Sequence, residues 1–396
     1  MSNIAVRVTP DALRQIRRGS PWLYDGSITS ASRDGDPGDL AVIFDDDRKF
    51  AAIGLWDPAS PIRVKLLHHG KPTAIDAGFW RTRLSAAVDQ RSGLVADPDT
   101  TGYRLVHGEN DALPGLVVDR YADTLVVKVY SAAWLAHLDV VIGQLIDLTG
   151  ATRAILRLAR SVAAPGRADG DVLAGPPVDG PVVFRERGLV MEADVAHGQK
   201  TGHFLDQRDN RSLVRGMAEG RAVLDVFAST GGFALAAAAG GARSVHLVDL
   251  AAPALAGARR NLERNERLRS VRDCSVRVTA GDAFVVLGQL AETGEQYDLV
   301  IVDPPSFAQN QAAVERALRA YRHLTRLALA VLAPGGMLVQ CSCSSRVTAD
   351  DFFDTVLGAA RSAGRPLREL RRTGHAVDHP IGFDYGAYLK AIYATA

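Results

Sequence analysis

Cysteine is scarce in this chain, with three in 396 residues. Three cannot build a disulfide framework. Two of them alternate, in Cys341-Ser342-Cys343, without the two-residue gap of redox and zinc cysteine pairs. The close histidine pairs, His68-His69 and His375 with His379, do not adjoin the cysteines, so no metal is expected. Long apolar runs are missing: none reaches the roughly 18 to 20 residues of a membrane span. The opening MSNIAVRVTPDALRQIRRGS lacks an apolar core followed by a small-residue cleavage site. The expectation is a cytoplasmic protein with no membrane role. Charge of one sign is missing as well. The formal net charge is +1, so a nucleic-acid partner would have to be gripped by local basic patches. Neither the Gly-x-Gly-x-x-Gly dinucleotide pattern nor a phosphate loop ending in Lys-Ser/Thr occurs at the glycine-rich turn near residue 231, which disfavours hydride transfer and ATP hydrolysis.

What is present divides into three textures. Residues 1–72 carry short alternating apolar runs, LAVIF and IRVKLL, broken by DGDPGD and DPASP, which predicts a small β-rich domain interrupted by a helix at Pro10 to Arg18. Residues 73–190 open with a helical pattern over 76–94. They continue with three β-rich runs in YRLVHGENDALPGLVVDRYADTLVVKVY, a helix, and two further strands, ATRAILRLA and VVFRERGLVMEADV, which together predict a central α+β domain of EEHEE type. The Gly/Pro-rich APGRADGDVLAGPPVDG between those two strands reads as a loop. Residues 191–396 alternate apolar strands with Ala/Leu/Arg-rich helices. RAVLDVF, SVHLVDL, VRVTAGD, YDLVIVD and MLVQCSC predict five strands of a doubly wound parallel sheet, an α/β fold of Rossmann-like class.

In such a sheet the ligand lies at the carboxyl ends of the strands, where chain order reverses. The first predicted strand ends in LDVFASTGGF, an acid followed by a small-residue turn that lets backbone approach a ligand. The second ends at Asp249, which can accept from ribose hydroxyls, and the third at Asp282, which can accept from an adenine amino group. Either acid can equally cap the helix that follows. The fourth ends in VDPPSFA, where Asp303 precedes two prolines that stiffen the turn. Several acids in register point to an adenosine-type cofactor.

Taken with PGLVVDRY (114–121), GQKTGHFLDQRDNR (198–211), CSCS, DHP and YLK, these strand ends make residues 191–396 resemble class I S-adenosylmethionine-dependent methyltransferases. The whole chain is similar to the 23S ribosomal RNA large-subunit cytosine-5 methyltransferase family with an amino-terminal PUA domain. The resemblance implies S-adenosylmethionine as cofactor, held by Lys200, Phe204, Gln207, Arg208, Asp225, Phe227, Ser229, Gly231, Asp249, Leu250, Asp282, Ala283 and Asp303. It implies RNA as partner, 23S ribosomal RNA or a large-subunit precursor. In the PUA segment it suggests Arg17, Arg18, Arg63 and Lys65 for phosphates and Trp22 for stacking on a base. A homodimer is the default for such an enzyme.

Cytosine C5 is a weak nucleophile, so its methylation calls for a thiolate to add at C6 and a carboxylate to stabilise the charge that develops. Alternation puts Cys341 and Cys343 on one face of a strand and Ser342 and Ser344 on the other. Cys343 lies nearer the carboxyl end and matches the family's Ser-Cys-Ser motif, so it is the expected nucleophile, with Asp303 and Pro304 at the cytosine edge. Cys341 and Cys274 are expected to be small buried hydrophobes. Lys200 is the sequence's candidate for lowering the thiol pKa. Two other readings stay open: methylation of a nitrogen acceptor (guanine N7 or an exocyclic amine) without a thiolate, and a non-catalytic RNA-binding protein that keeps the cofactor structurally.

Overall fold

Three sheets and a hairpin organise the chain in the computed structural model, which describes residues 3–383 and 386–396. These residues fall into two compact units: 3–185 with 193–205 and 377–383, and 186–192 with 206–376 and 386–396.

The first unit begins with a six-stranded sheet. Its strands lie in the order Trp22–Tyr24, Ile62–His69, Phe50–Trp56, Leu40–Phe44, Ile4–Val8, Ile28–Ala31. The expected helix runs Pro10–Arg17. Thr9 caps it by accepting from the Ala12 amide, Pro10 needs no donor in the first turn, and Ala12, Leu13 and Ile16 are buried. The runs LAVIF and IRVKLL form the strands Leu40–Phe44 and Ile62–His69 as expected, and Ile4–Val8, which the sequence reading did not single out, is buried at every second residue.

A five-stranded sheet follows, ordered Val172–Ala174, Arg153–Leu158, Thr124–Val129, Leu116–Tyr121, Gly102–His107. It shares one core with helices Ala77–Gln90 and Leu138–Thr149, centred on Trp80 and Trp134, whose rings lie 5.4 Å apart. Three refinements of the sequence expectation appear here. The 164–180 loop contains the edge strand Val172–Ala174, antiparallel to Arg153–Leu158. The run 181–194 is a hairpin, Val182–Glu186 and Leu189–Ala193, because Arg187 and Gly188 both take positive φ. Ala132–Thr149 is, by length and composition, apolar enough to cross a membrane, which corrects the reading that no run is; Trp134, Leu138, Val141 and Leu145 of that segment are buried in this core.

The late DHP motif belongs to this unit. Asp378 accepts from the Arg104 amide at 2.9 Å and its carbonyl accepts from Arg91 at 3.1 Å. Arg91, fully buried, also makes a two-pronged pair with Asp111 at 2.8 Å on each arm.

The second unit is built on a seven-stranded sheet, ordered Ser275–Ala280, Ser244–Asp249, Ala222–Val226, Tyr297–Val302, Leu332–Ser342, Lys390–Thr395, Arg368–Thr373. The five expected strands are parallel to one another. The last two join antiparallel. RELRRT escapes sequence reading because it is an edge strand with almost every side chain exposed, so burial leaves no period in it. The chain winds outward from Ala222–Val226 and then returns to Tyr297–Val302 on its other side, so the reversal of order lies between these two strands.

Breaking a buried pair strands a charge. Asp111→Ala should therefore destabilise the first unit by about 3 to 5 kcal/mol, read as a lower denaturation midpoint followed by tryptophan fluorescence.

Candidate active site

At the reversal point the strand Ala222–Val226 delivers Asp225 and the strand Tyr297–Val302 delivers Asp303, whose amide donates to the Val226 carbonyl at 3.2 Å. Asp225 is 1% exposed. Its Oδ2 accepts from the Ala234 amide at 3.0 Å, while its Oδ1 has no hydrogen-bond partner among the described residues. Burial, together with the like charges of Asp303 and Asp249, pushes its pKa up to about 7. The crevice is thus rich in negative charge and holds an orphaned carboxylate oxygen.

The turn after Asp225 is wound tightly. Phe227, Ser229 and Gly231 all have positive φ, at 65°, 49° and 75°, and two of the three are not glycine. Such left-handed backbone is held only where surrounding structure over-determines it. Asp249 does part of this, accepting from the Ser229 amide and from the Ala251 amide, each at 2.8 Å. Asp282 caps the helix Ala283–Glu292 by accepting from the amides of Phe284 and Val285. Both acids left open in the sequence therefore have structural work. Leu250, beside Asp249, is 75% exposed.

Asp303 is aimed by an amide relay. Gln207 donates from Nε2 to Asp303 Oδ1 at 2.8 Å, and its Oε1 accepts from Asn210 at 2.6 Å. Asn210 Oδ1 in turn accepts from Thr373 and Tyr393. With Oε1 so occupied, the Gln207 amide can only donate toward Asp303. Asp206 accepts from Tyr388 of the YLK segment at 2.9 Å, and Arg208 is fully buried. The boundary between the two units falls inside GQKTGHFLDQRDNR, after Leu205. Lys200 and Phe204 thus belong to the first unit, where the ammonium lies 4.3 Å from the Phe204 ring centre and the Lys200 carbonyl accepts from Lys128.

The neighbouring strand, Leu332–Ser342, settles which cysteine faces what. Ser342 and Ser344 both bond the Tyr321 hydroxyl of helix Val314–Ala330, at 2.8 and 3.0 Å. Ser344 Oγ also accepts from the amides of Phe307 and Ala308 and bonds Ser306. The serines fasten the Asp-Pro-Pro loop to the strand end. The cysteines take the other face: Cys341 is completely buried, and burial followed by the Asp303 charge pushes its thiol well up. Cys343 is half-buried, with its Sγ 3.7 Å from the Pro304 carbonyl. Cys274 is buried elsewhere, its thiol pushed up to about 11 by burial.

Sequence reasoning missed Tyr321, Asn210 and Lys390. Lys390, 5% exposed, donates to the carbonyls of Ser344 and Val347 just past Cys343. The YLK motif was its one signal. Also missed were Arg316, Arg319, Arg322 and Arg326, all exposed on one face of the Tyr321 helix and, among the described residues, without ion pairs.

In the first unit Arg17 and Arg18 are exposed, Arg17 pairing with Asp45 at 3.1 Å. Arg63 bonds Asp25 and lies over Trp56. Lys65 is buried with its ammonium on Asp57, Ser60 and the Ile62 carbonyl. Trp22 is half-buried, donates to Glu109 and meets Phe383 edge-on.

The family model for S-adenosylmethionine-dependent methyltransferases matches residues 103–392, and that for a PUA-like domain matches residues 6–69. A Deinococcus radiodurans protein named ribosomal RNA large subunit methyltransferase is 45% identical, the match covering 98% of this chain and 97% of that one. A Shewanella amazonensis protein named ribosomal RNA large subunit methyltransferase I is 34% identical, with 99% of each chain covered. Among solved structures, one from Streptococcus mutans assigned as a methyltransferase superposes with a TM-score of 0.83 at 22% identity, covering 99% of this chain and 100% of that chain. Another, complexed with S-adenosylhomocysteine, gives 0.83 at 23% and covers all of both chains; these two show the shared fold. The acid-rich crevice, with its orphaned Asp225 oxygen and close-approach turn, is suited to a cationic ligand such as S-adenosylmethionine. The chain belongs to the S-adenosylmethionine-dependent methyltransferases, with a PUA-like domain at its amino-terminal end.

Proposed function

We propose that this protein methylates C5 of a cytosine in large-subunit ribosomal RNA through a transient bond between Cys343 and cytosine C6. The substrate class rests on the names of its relatives. One observation carries the chemistry: the half-buried Cys343 Sγ stands 3.7 Å from the Pro304 carbonyl, one residue from Asp303, at the carboxyl edge of the sheet.

In this reading the Cys343 thiolate attacks C6, an S–C bond forms, and the electron pair of the C5–C6 double bond moves onto C5 and the N3 side of the ring. Asp303, aimed by Gln207, acts at the base edge as its carboxylic acid, giving its proton to N3 as the electron pair arrives there and taking it back when the thiolate leaves. Bound S-adenosylmethionine would supply an electrophilic methyl on a positively charged sulfur, which C5 takes with its electron pair while the pair of the broken S–C bond stays on the sulfur and neutralises it. Loss of the C5 proton to a base then restores the double bond and expels Cys343 as thiolate. Ser306 stands where many other cytosine-5 RNA enzymes carry a second cysteine for release. Here its hydroxyl bonds Ser344 at 3.2 Å, in a structural role.

Asp225, Asp249 and the 227–231 turn are proposed to hold the cofactor, with Leu250, Asp282 and Ala283 toward the adenine, and Gln207 and Arg208 contributed by the LDQR segment of the same unit. The target base must leave its stack to reach Cys343, at a cost of a few kcal/mol, which favours a loop over a duplex. The exposed Arg316, Arg319, Arg322 and Arg326 span about 15 Å of helix at 1.5 Å per residue, a charge spacing suited to an RNA backbone.

Three outcomes are expected. Wild-type protein converts cytidine in unmodified 23S RNA to 5-methylcytidine, identified by nucleoside mass and retention, and Cys343→Ala yields none. A Cys343→Ala variant that still methylates moves the acceptor to a nitrogen, and a wild type that binds cofactor and RNA without transfer favours the non-catalytic reading. Asp225 titrates near pH 7 in the ligand-free protein, far above the ordinary 3.8. Its ionised form costs stability, so ligand-free stability falls as pH rises from about 4 to 7. Cofactor affinity rises from pH 6 to 8 as that carboxylate ionises, with proton release seen by calorimetry in buffers of different ionisation enthalpy; Asp225→Asn flattens both dependences. Replacing Arg319 and Arg322 with Gln lowers RNA affinity and reduces its log–log salt slope by roughly 0.7 for each phosphate no longer neutralised, measured by filter binding across 50 to about 200 mM salt.

A further inference from the structure

Lys390 has no obvious reason to be where it is. It opens the strand Lys390–Thr395, where it pairs with Ser342 across the antiparallel ladder. The side chain is 5% exposed. Its ammonium donates to two backbone carbonyls, Ser344 at 2.6 Å and Val347 at 2.5 Å. No carboxylate accepts from it, and no ion pair to it occurs among the described residues. A buried ammonium without a counter-ion is costly, and lysine in that position ordinarily gives way to an apolar residue. Burial pushes its pKa down to about 8, and the charge that works against this effect is that of Cys343. In sequence Cys343 falls between Ser342, the residue that Lys390 pairs with, and Ser344, the residue whose carbonyl holds the ammonium, so the bond is made one peptide unit from the cysteine.

We propose that Lys390 is the positioning residue for the Cys343 thiolate: its ammonium braces the turn over 343–347 and supplies the positive charge against which the sulfur ionises. The inference rests on the reading of Cys343 as nucleophile. When the thiol ionises, its S–H bond breaks and the proton passes to solvent. The Lys390 nitrogen keeps its three protons, two of them donated to the carbonyls. The groups that face Cys343 in the described residues pull in opposite directions. Asp303, beyond the neighbouring strand, opposes the thiolate. The Tyr321 hydroxyl lies on the opposite, serine face, held by Ser342 and Ser344, and is pushed up to about 12 by burial, with the Cys343 and Asp303 charges acting the same way. Cys341, on the same strand, is buried with its thiol pushed well up. Lys390 supplies the favourable charge, and because it is anchored by two carbonyls it stays put without an acid that would neutralise it.

The test reads the thiol and not the product. In the full-length protein, the pH dependence of Cys343 carbamidomethylation by iodoacetamide is followed by mass spectrometry of the peptide, with fragmentation separating Cys343 from Cys341. Lys390→Gln keeps amide donors for the carbonyls but lacks the charge. Its profile should move up by at least one pH unit, a roughly tenfold slower reaction at pH 7, with cofactor affinity unchanged within about twofold. Lys390→Arg, which retains charge and donors, should restore the wild-type profile. Superimposable profiles for wild type and a folded Lys390→Gln overturn the proposal. If Lys390→Gln does not fold, the coupling is read from the other side: in Cys343→Ala the Lys390 Nζ titration, followed by 15N NMR, should move down, and an unmoved titration overturns it. A Cys343→Ala protein that still methylates RNA defeats the proposed reaction and leaves these thiol measurements standing, so the two failures are distinguishable.

Discussion

Asp303 is the fixed point of the second unit. One strand end brings it to the place where sheet order reverses, its amide is tied to the Val226 carbonyl, and its carboxylate receives the Gln207 amide at 2.8 Å. That amide is locked by Asn210, which is locked by Thr373 and Tyr393 from the two antiparallel strands at the sheet's far side. The added strands thus reach back, through neutral amides and hydroxyls, to set one carboxylate. Neutral relays suit this purpose, because they orient a charge without cancelling it.

Around that point the site balances charges of unequal access to water. Asp225, Asp249 and Asp303 repel one another in a buried crevice, and the orphaned oxygen of Asp225 marks the imbalance. A crevice of this kind stores free energy that a cationic ligand releases on binding. On the other side of Asp303 the order is inverted, since a buried cation, Lys390, holds the carbonyls of Ser344 and Val347 just past the half-buried Cys343 in sequence. A single carboxylate therefore stands between a region that calls for positive charge and one that already contains it.

The cysteine motif shows how much of a site sequence can hold. Alternation along the strand was legible, and the serines do turn to the Tyr321 helix while Cys341 and Cys343 take the opposite face. The difference between the two cysteines was also legible in outline, since position along a strand sets depth. The serines' role was not: Ser344 binds the amides of Phe307 and Ala308 from a segment 36 residues away or more, and no local pattern reports such a bond. The acids show the same split. Asp249 and Asp282 were visible as strand-end carboxylates, yet only the folded chain reveals that each already accepts backbone amides of the adjoining turn or helix.

By itself the sequence determined the β-rich start, the parallel order of five strands and the set of acids at their ends, because period, turn chemistry and strand length are local quantities. It also pointed to Cys343. Tertiary structure decided the rest. The DHP segment near the carboxyl end is folded into the first unit through Asp378, and the YLK segment is folded into the second through Tyr388 and Lys390. Only a short stretch of chain separates Pro380 from Tyr388, and nothing in the composition of the two motifs says that they part. What separates them is the energy of satisfying particular buried donors and acceptors far away in sequence, a term that exists only once the chain has folded.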